Sequence, residues 1–261
     1  MIENIYIQAE RLLKKLLPYS FPVFAAVYLL VTLSLWSKYD WNPTGMLNIG
    51  REFALQNRNM VPDNSVVQQG YEGDLGAGYD GQIFYFFSRA VNGDVPEWPK
   101  GFDESYRAPR IGYPLLVAAF GIAGKYGSVF GMYFLNLALL YFSFLLLKEM
   151  LPEKQKYLSL VYLLNPFSLG SYAVLVSDSV MVSLVIIAYY FFVQERFLLF
   201  SVTAGLAILT KEPALFLLFP LGLETLFRRD WKRALVVTSS LVYPVLWHAY
   251  LRYTFPNWTP S

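Results

Sequence analysis

Apolar residues in this chain gather into long blocks separated by short polar corners, and two segments near the N-terminus break the rule. Residues 1–18 carry Ile5, Leu12, Leu13, Leu16 and Leu17 with Glu10, Arg11, Lys14 and Lys15 between them. That spacing predicts an amphipathic helix on a membrane surface, leading into a first transmembrane helix over 19–36. The acids Glu3 and Glu10, and the lack of a clear small-residue cleavage site after the apolar run, mark an uncleaved anchor rather than a signal peptide. Residues 37–111 then hold ten of the nineteen acids, with many Gly, Pro, Asn and aromatic residues. No stretch there is apolar enough to cross a bilayer, so it reads as one large polar loop. Within it, Thr44 is placed to cap a short helix, and 81–91 carries an aromatic face of Ile83, Phe84, Phe86 and Phe87. Short helices lying along the membrane surface would suit both the aromatics and the polar residues.

From residue 112 to 255 the chain predicts a transmembrane bundle, with apolar blocks at 112–124, 129–147, 157–172, 180–193, 197–209, 214–227 and 234–253. The first block is short and broken by Pro114, Gly121 and Gly124, so it is read as re-entrant or surface-lying. The basic segments at 11–15, 148–156, Arg196 and 228–233 then all fall on the cytoplasmic side, as the positive-inside rule requires. The expected fold is an all-α polytopic membrane bundle of about seven spans. Its large first loop is extracytoplasmic and contains short interfacial helices, and 256–261 is a C-terminal tail.

Composition narrows the chemistry. Hydrophobic residues make up 56% of the chain and charged residues 15%, against roughly 25% in soluble proteins. A net charge of +2 without a long basic run gives no case for a nucleic-acid partner. The absence of cysteine excludes thiolate metal sites and a cysteine nucleophile, and a single histidine, His248, argues against a histidine metal centre or a Ser-His triad. His248 is assigned no role. Catalysis has to come from carboxylates, Lys, Arg, Tyr or a bound ion.

On the expected topology, polar residues without an evident structural purpose collect on the outer side. Glycines surround Asp80 in Gly76-Ala-Gly-Tyr-Asp-Gly-Gln82, where Asp80 is either the cap of a helix after a plain turn or a group facing a ligand. Arg107 and Arg110 enter an apolar block in Tyr106-Arg-Ala-Pro-Arg-Ile-Gly-Tyr-Pro114 and suit a phosphate, bidentately, or a lipid head group. Asn165-Pro166 and Ser177-Asp178-Ser179 flank a third site, and an aspartate beside a hydrocarbon span needs a partner or water. In Thr210-Lys-Glu-Pro213, Lys211 and Glu212 either neutralise one another or join the same site, with Pro213 opening the next helix. Asp40, in Tyr39-Asp-Trp-Asn42, adds another acid to that face, beside aromatics that would also serve as interface anchors. Four such clusters on one face point to a shared polar site at the membrane surface. The 21 phenylalanines and 20 tyrosines are chiefly packing and interface belts, although sugar rings stack well on them.

The order of these motifs resembles a family. Gly78-Tyr-Asp-Gly-Gln-Ile-Phe-Tyr85, Arg110-Ile-Gly-Tyr-Pro-Leu-Leu116, Asn165-Pro166, Ser177-Asp178 and then Lys211 are similar to the motifs of the GT-C superfamily of polytopic glycosyltransferases. Within it, the GPI mannosyltransferase II-like branch and its bacterial relatives run Trp-Asp, Phe-Pro-Leu-Tyr-Pro, Asn-Pro and Tyr-Ser-Glu in that order. Here Tyr79 stands for the tryptophan, Ile111-Gly-Tyr-Pro-Leu-Leu for the aromatic-proline motif, and Val176-Ser-Asp for Tyr-Ser-Glu. The likeness covers 37–219, and the chain is short beside such enzymes, as a truncated or minimal member would be.

The resemblance implies inverting transfer of a hexose, mannose in the named branch, from a polyprenyl-phosphate donor. It implies a glycan, lipid or protein acceptor and an extracytoplasmic site in a cell membrane, taken to be a bacterial plasma membrane. Asp80 is the expected base for the acceptor hydroxyl, with Asp40 as a second catalytic carboxylate. Arg110, Arg107 and Lys211 are expected to meet the leaving phosphate. Tyr79, Gln82, Tyr113, Asp178 and Glu212 complete the expected substrate contacts. No cofactor is required, although a divalent cation held by Asp40 or Asp178 is one way to replace a basic residue. Membrane lipids, and a partner subunit completing the missing C-terminal part, are further expected partners. Two other readings stay open: a transporter or flippase of a lipid-linked sugar, and a catalytically idle membrane scaffold.

Overall fold

The computed structural model describes residues 2–70 and 77–260, with side chains from Ile7 onward, so Gly76 and the Ile5 side chain lie outside the described residues. Helix α1 (Ile2–Leu16) passes through a 3-10 turn at Leu17–Tyr19 into α2 (Ser20–Trp36). Pro18 occupies that turn, where its missing N–H leaves nothing unpaired. The polar segment follows with α3 (Arg51–Gln56), α4 (Asp80–Val91) and α5 (Glu104–Arg107). Two short strands, β1 (Ile49–Gly50) and β2 (Val67–Gln68), pair in parallel with Ile49 opposite Val67.

The remainder is helical: α6 (Gly112–Ala118), α7 (Gly124–Met150), α8 (Ser159–Leu163), α9 (Pro166–Ala173) and α10 (Asp178–Val193). The chain continues through α11 (Phe197–Thr210), α12 (Pro213–Phe227), α13 (Trp231–Ser239) and α14 (Val242–Thr254). Three stretches are long and apolar enough to cross a membrane, Ile7–Tyr39, Gly121–Met150 and Trp231–Thr254, while α10, α11 and α12 are shorter apolar helices. The architecture is an all-helical bundle of membrane type, with α10 packed between α7 and α11 at its centre.

Several expectations change. The apolar block at 157–172 is not one helix: it breaks at Asn165–Pro166, where proline removes a backbone donor and the Asn165 side chain accepts from the Ser168 N–H at 2.8 Å to start α9. The block at 112–124 yields only the seven residues of α6 and a 3-10 turn at Gly121–Ala123, with Tyr113, Pro114 and Val117 buried. Helix α4 is covered by protein and presents no exposed aromatic face, because every residue from Gly81 to Arg89 is buried. Its aromatics point both ways: Phe84, Tyr85 and Phe86 enter the main core, and Ile83 and Phe87 enter a second cluster with Phe102, Leu251 and Trp258. Thr44 is not a cap. Asn42 fills that position, accepting from the Thr44 N–H at 3.0 Å, and the Thr44 hydroxyl accepts from the Val66 N–H.

Charges divide between the two ends of the bundle. Arg233 pairs with Glu195 at 2.6 Å, Tyr190 donates to Glu149 at 3.0 Å and Lys14 sits 5.2 Å from the Tyr157 ring centre, gathering the basic corners at one end. The polar segment and the N-termini of α7, α10 and α12 occupy the other. Arg89 ties that end together from inside. Its Nε and Nη2 donate to Asp94 at 2.7 and 2.9 Å, and its Nη1 donates to the Gly121 and Gly124 carbonyls and the Ser128 hydroxyl. A buried ion pair stripped of one partner typically costs about 3–5 kcal/mol, because the remaining charge stays buried. Asp94→Asn is expected to lose about that much stability, read as a lower unfolding midpoint in detergent, because it leaves the Arg89 charge buried, whereas Arg89→Met leaves the more exposed Asp94, which water can partly solvate.

Candidate functional site

The four sequence clusters meet through three ion pairs. Asp80 is the first residue of α4, yet its side chain does not cap the helix; Tyr79 holds the cap position in extended backbone without a side-chain bond. The Asp80 carboxylate turns instead to Arg107, whose Nη1 lies 3.2 Å from Oδ1. Arg110 Nε donates to both oxygens of Glu212, at 2.9 and 3.0 Å. Lys211 Nζ lies 2.6 Å from Asp178 Oδ1. Lys211 and Glu212 therefore do not neutralise one another, because the extended backbone at Lys211 sends the two side chains to different partners.

The Tyr106 ring links the first two pairs. The Arg110 guanidinium lies 4.0 Å from the ring centre and that of Arg107 lies 6.0 Å from it, within cation–π range. The sequence adjacency of Lys211 and Glu212 joins the third pair. Six charged side chains thus run in series as Asp80, Arg107, Arg110, Glu212, Lys211 and Asp178. Exposed ion pairs contribute only about 0–1 kcal/mol each, so stability alone does not account for such a series.

Arg110 is its anchor. Only 13% of its side chain is exposed, against 47% for Glu212. Burial works against the charge, and the Glu212 hydrogen bonds with the Tyr106 contact outweigh it, raising the guanidinium above its ordinary pKa. Nε is committed to Glu212 and the guanidinium also interacts with Tyr106, so the remaining N–H groups of the fork are what Arg110 offers to an oxyanion.

Close packing positions these groups. Gly112 sits so near α11 that a Cβ there would lie 2.6 Å from the Leu206 carbonyl, which brings Arg110 up to the α11–α12 corner. Behind it, Tyr113 is fully buried, and its hydroxyl accepts from Asn136 Nδ2 at 2.8 Å. Asn136 Oδ1 in turn accepts from the Ser179 hydroxyl, and Ser171 accepts from the Ser179 N–H. This network fixes the start of α10, and with it Asp178. Tyr113 is accordingly a support inside the protein rather than a surface contact. Gln82 is also buried, its Oε1 accepting from the Gly50 N–H at 2.9 Å. Tyr79 is exposed and its backbone N–H bonds the Asn48 carbonyl. Asp40 lies in a left-handed turn after α2 and has no ion pair or hydrogen bond to the series among the described residues.

Two clefts flank the 104–110 segment. One, of about 270 Å³, is lined by Glu52, Gln82, Gly101 and Arg107. The other, of about 470 Å³, is lined by Ser105, Tyr106, Arg110, Glu212, Leu215 and His248 among others. Arg107 thus borders the smaller cleft and Arg110 the larger. Ser105 and Tyr106 were given no role in the sequence reading and His248 was assigned none, although Tyr106 beside two arginines was a visible signal. Beyond the larger cleft, an apolar groove of about 390 Å³ runs between α11, α12 and α13 past Phe216, Phe219 and Leu241. Ile208 and Leu215 line both, so the polar cleft and the apolar groove adjoin.

Among the described residues no group of three or more His, Asp or Glu side chains stands close enough together to hold a metal ion. Asp178 is committed to Lys211, and Asp40 stands apart from it. In comparisons with known proteins, no family model, curated protein or solved structure matches this chain.

Proposed function

We propose that the chain is an integral membrane glycosyltransferase that moves a hexose from a polyprenyl-phosphate donor to an acceptor hydroxyl, with inversion. The observation that carries this reading is the placement of the Arg110 cleft beside the apolar groove, with Ile208 and Leu215 lining both. A ligand with a phosphate head and a hydrocarbon tail matches both at once: the phosphate at the free end of the Arg110 fork, the tail along Phe216 and Phe219. The series of ion pairs sits at helix ends rather than at mid-helix, which favours transfer at the interface over carriage through the midplane.

In this proposal the membrane is crossed seven times, by α2, α7, the broken α8–α9 pair, α10, α11, α12 and the bent α13–α14 pair. The basic corners face the cytoplasm and the ion-pair series faces the outside. The acceptor oxygen attacks the anomeric carbon while the Asp80 carboxylate takes its proton. The bond from that carbon to the phosphate oxygen breaks, and its electron pair leaves with the polyprenyl phosphate. Negative charge then grows beside Arg110, which is already desolvated and oriented by Glu212, so little reorganisation is needed. Arg107 orients the Asp80 carboxylate from its other side through Oδ1, leaving Oδ2 for the proton.

Transfer of labelled sugar from a panel of polyprenyl-phosphate hexoses, in membranes containing the whole chain, tests the reading. Asp80→Asn at matched expression is expected to lose about 10²–10⁴-fold in rate, the range for a general base. Arg110→Lys keeps the charge and loses the fork, and is expected to fall about 10²-fold with donor binding weakened. Equal transfer by wild type and Asp80→Asn would remove Asp80 as base and leave Asp40 and Asp178 to be tried. Donor binding without transfer in the wild type would favour a flippase.

A further inference from the structure

His248 lines the Arg110 cleft, and nothing above gives it work. Two tryptophans hold it there. Trp247 Nε1 donates to the Ala108 carbonyl at 2.8 Å, and Trp258 Nε1 donates to the Glu104 carbonyl at 2.9 Å, so α14 and the chain after it are pinned to the 104–110 segment on both sides of the histidine. The Trp258 ring also meets the imidazole edge to face at 5.8 Å. His248 Nδ1 lies 2.7 Å from the Pro244 carbonyl oxygen. A carbonyl only accepts, so Nδ1 carries the hydrogen and the neutral ring presents a bare Nε2. A bare Nε2 repels an oxyanion, whereas the imidazolium donates to it. An anion seated in this cleft against Nε2 therefore has to bring a proton with it.

We infer that the cleft binds a phosphodiester between the free end of the Arg110 fork and Nε2 of His248, and that binding takes up a proton at His248. This rests on the reading of the cleft as the donor-phosphate site and adds its regulation: donor affinity rises as the outside of the membrane becomes acidic. Among the described residues, the charged and titratable groups that share the cleft with the ring are Arg110, Glu212 and Tyr106, with Arg252 one turn on along α14 and Glu104 in the segment whose carbonyl holds Trp258. Of these, the carboxylate of Glu212 is the one whose own protonation would alter phosphate binding, because it competes for Arg110.

The probe is farnesyl methyl phosphate, a diester with no second ionisation near neutrality, with farnesol as the uncharged control. Binding is measured to the whole chain in nanodiscs between pH 8 and pH 6. Wild type and Glu212→Gln are expected to tighten roughly tenfold over that interval, and His248→Gln, which keeps a donor near the Nε2 position without titrating, to stay flat. Calorimetry on the wild type in two buffers of different ionisation enthalpy is expected to show uptake of up to about one proton per diester bound at pH 7, a readout that needs no variant. No pH dependence or proton uptake in the wild type, or the same dependence in His248→Gln, overturns the inference while the cleft remains a phosphate site. Failure of the diester to bind at any pH, or equal binding of farnesol, overturns the donor-site reading itself and the inference with it.

Discussion

A cation at the edge of a hydrocarbon layer is costly unless a carboxylate meets it, and here that constraint fastens the long polar segment to the bundle. Arg110 closes on Glu212 across 102 residues, Lys211 on Asp178 across 33 and Arg107 on Asp80 across 27. Each pair joins different elements. Since Lys211 and Glu212 are neighbours, one corner between α11 and α12 satisfies a charge from the loop on one side and a charge from the start of α10 on the other. The position of that corner therefore decides where Arg110 and Asp178 stand. Its own position is set by Gly112 against Leu206 and by the buried Tyr113, Asn136 and Ser179 network.

The series is balanced, three cations against three carboxylates, and this shapes what it can bind. A balanced site does not attract anions from a distance; it recognises one that reaches its unused donors. Those are the terminal nitrogens of Arg110 and the remaining N–H groups of Lys211. An oxyanion there competes with Glu212 and Asp178 for the same cations, and both acids retain exposed surface through which water can solvate them if displaced. Binding of this kind is reversible, as the proposed transfer requires of a donor phosphate that leaves after its sugar has gone.

How much of this was legible in the sequence differs from element to element. The apolar blocks predicted α2, α7, α10, α11 and α12 well, because an apolar run in this setting has one helical solution. They misjudged 157–172, where hydropathy cannot register that Asn165 caps and Pro166 interrupts. They also misjudged α4, whose aromatics point to two different cores and so leave no solvent face. The charged clusters were legible as a set, since charges at apolar boundaries demand partners. Their pairing was not: Lys211 beside Glu212 reads as self-neutralising until the backbone turns them apart, and Asp80 reads as a cap until its carboxylate is seen on Arg107. Tyr113 looks like a site residue in sequence because motif adjacency does not distinguish a side chain facing a cleft from one facing the core, whereas Gln82, though buried, does line the cleft beside Arg107. His248 was unreadable for the opposite reason, since the tryptophans that hold it find their carbonyl partners 139 and 154 residues away.

The adjacency of cleft and groove has a cause in the last two helices. Pro244 cannot donate to the Ser240 carbonyl, and its ring crowds that carbonyl, so the helix from Trp231 to Thr254 bends at residues 240–241 instead of running straight. Gly205 on α11 accepts the bend: a Cβ there would collide with the Tyr243 ring, so only glycine lets the elbow close on α11. Below the elbow, α13 leans on α12 and leaves the apolar groove with Leu241 at its upper edge; above it, Pro244 and His248 face Arg110. The same proline turns its carbonyl to the His248 ring. One residue that cannot donate a hydrogen bond thereby separates an apolar compartment from a charged one, keeps them side by side at Ile208 and Leu215, and holds Nδ1 of the only histidine while leaving its Nε2 unclaimed by that carbonyl.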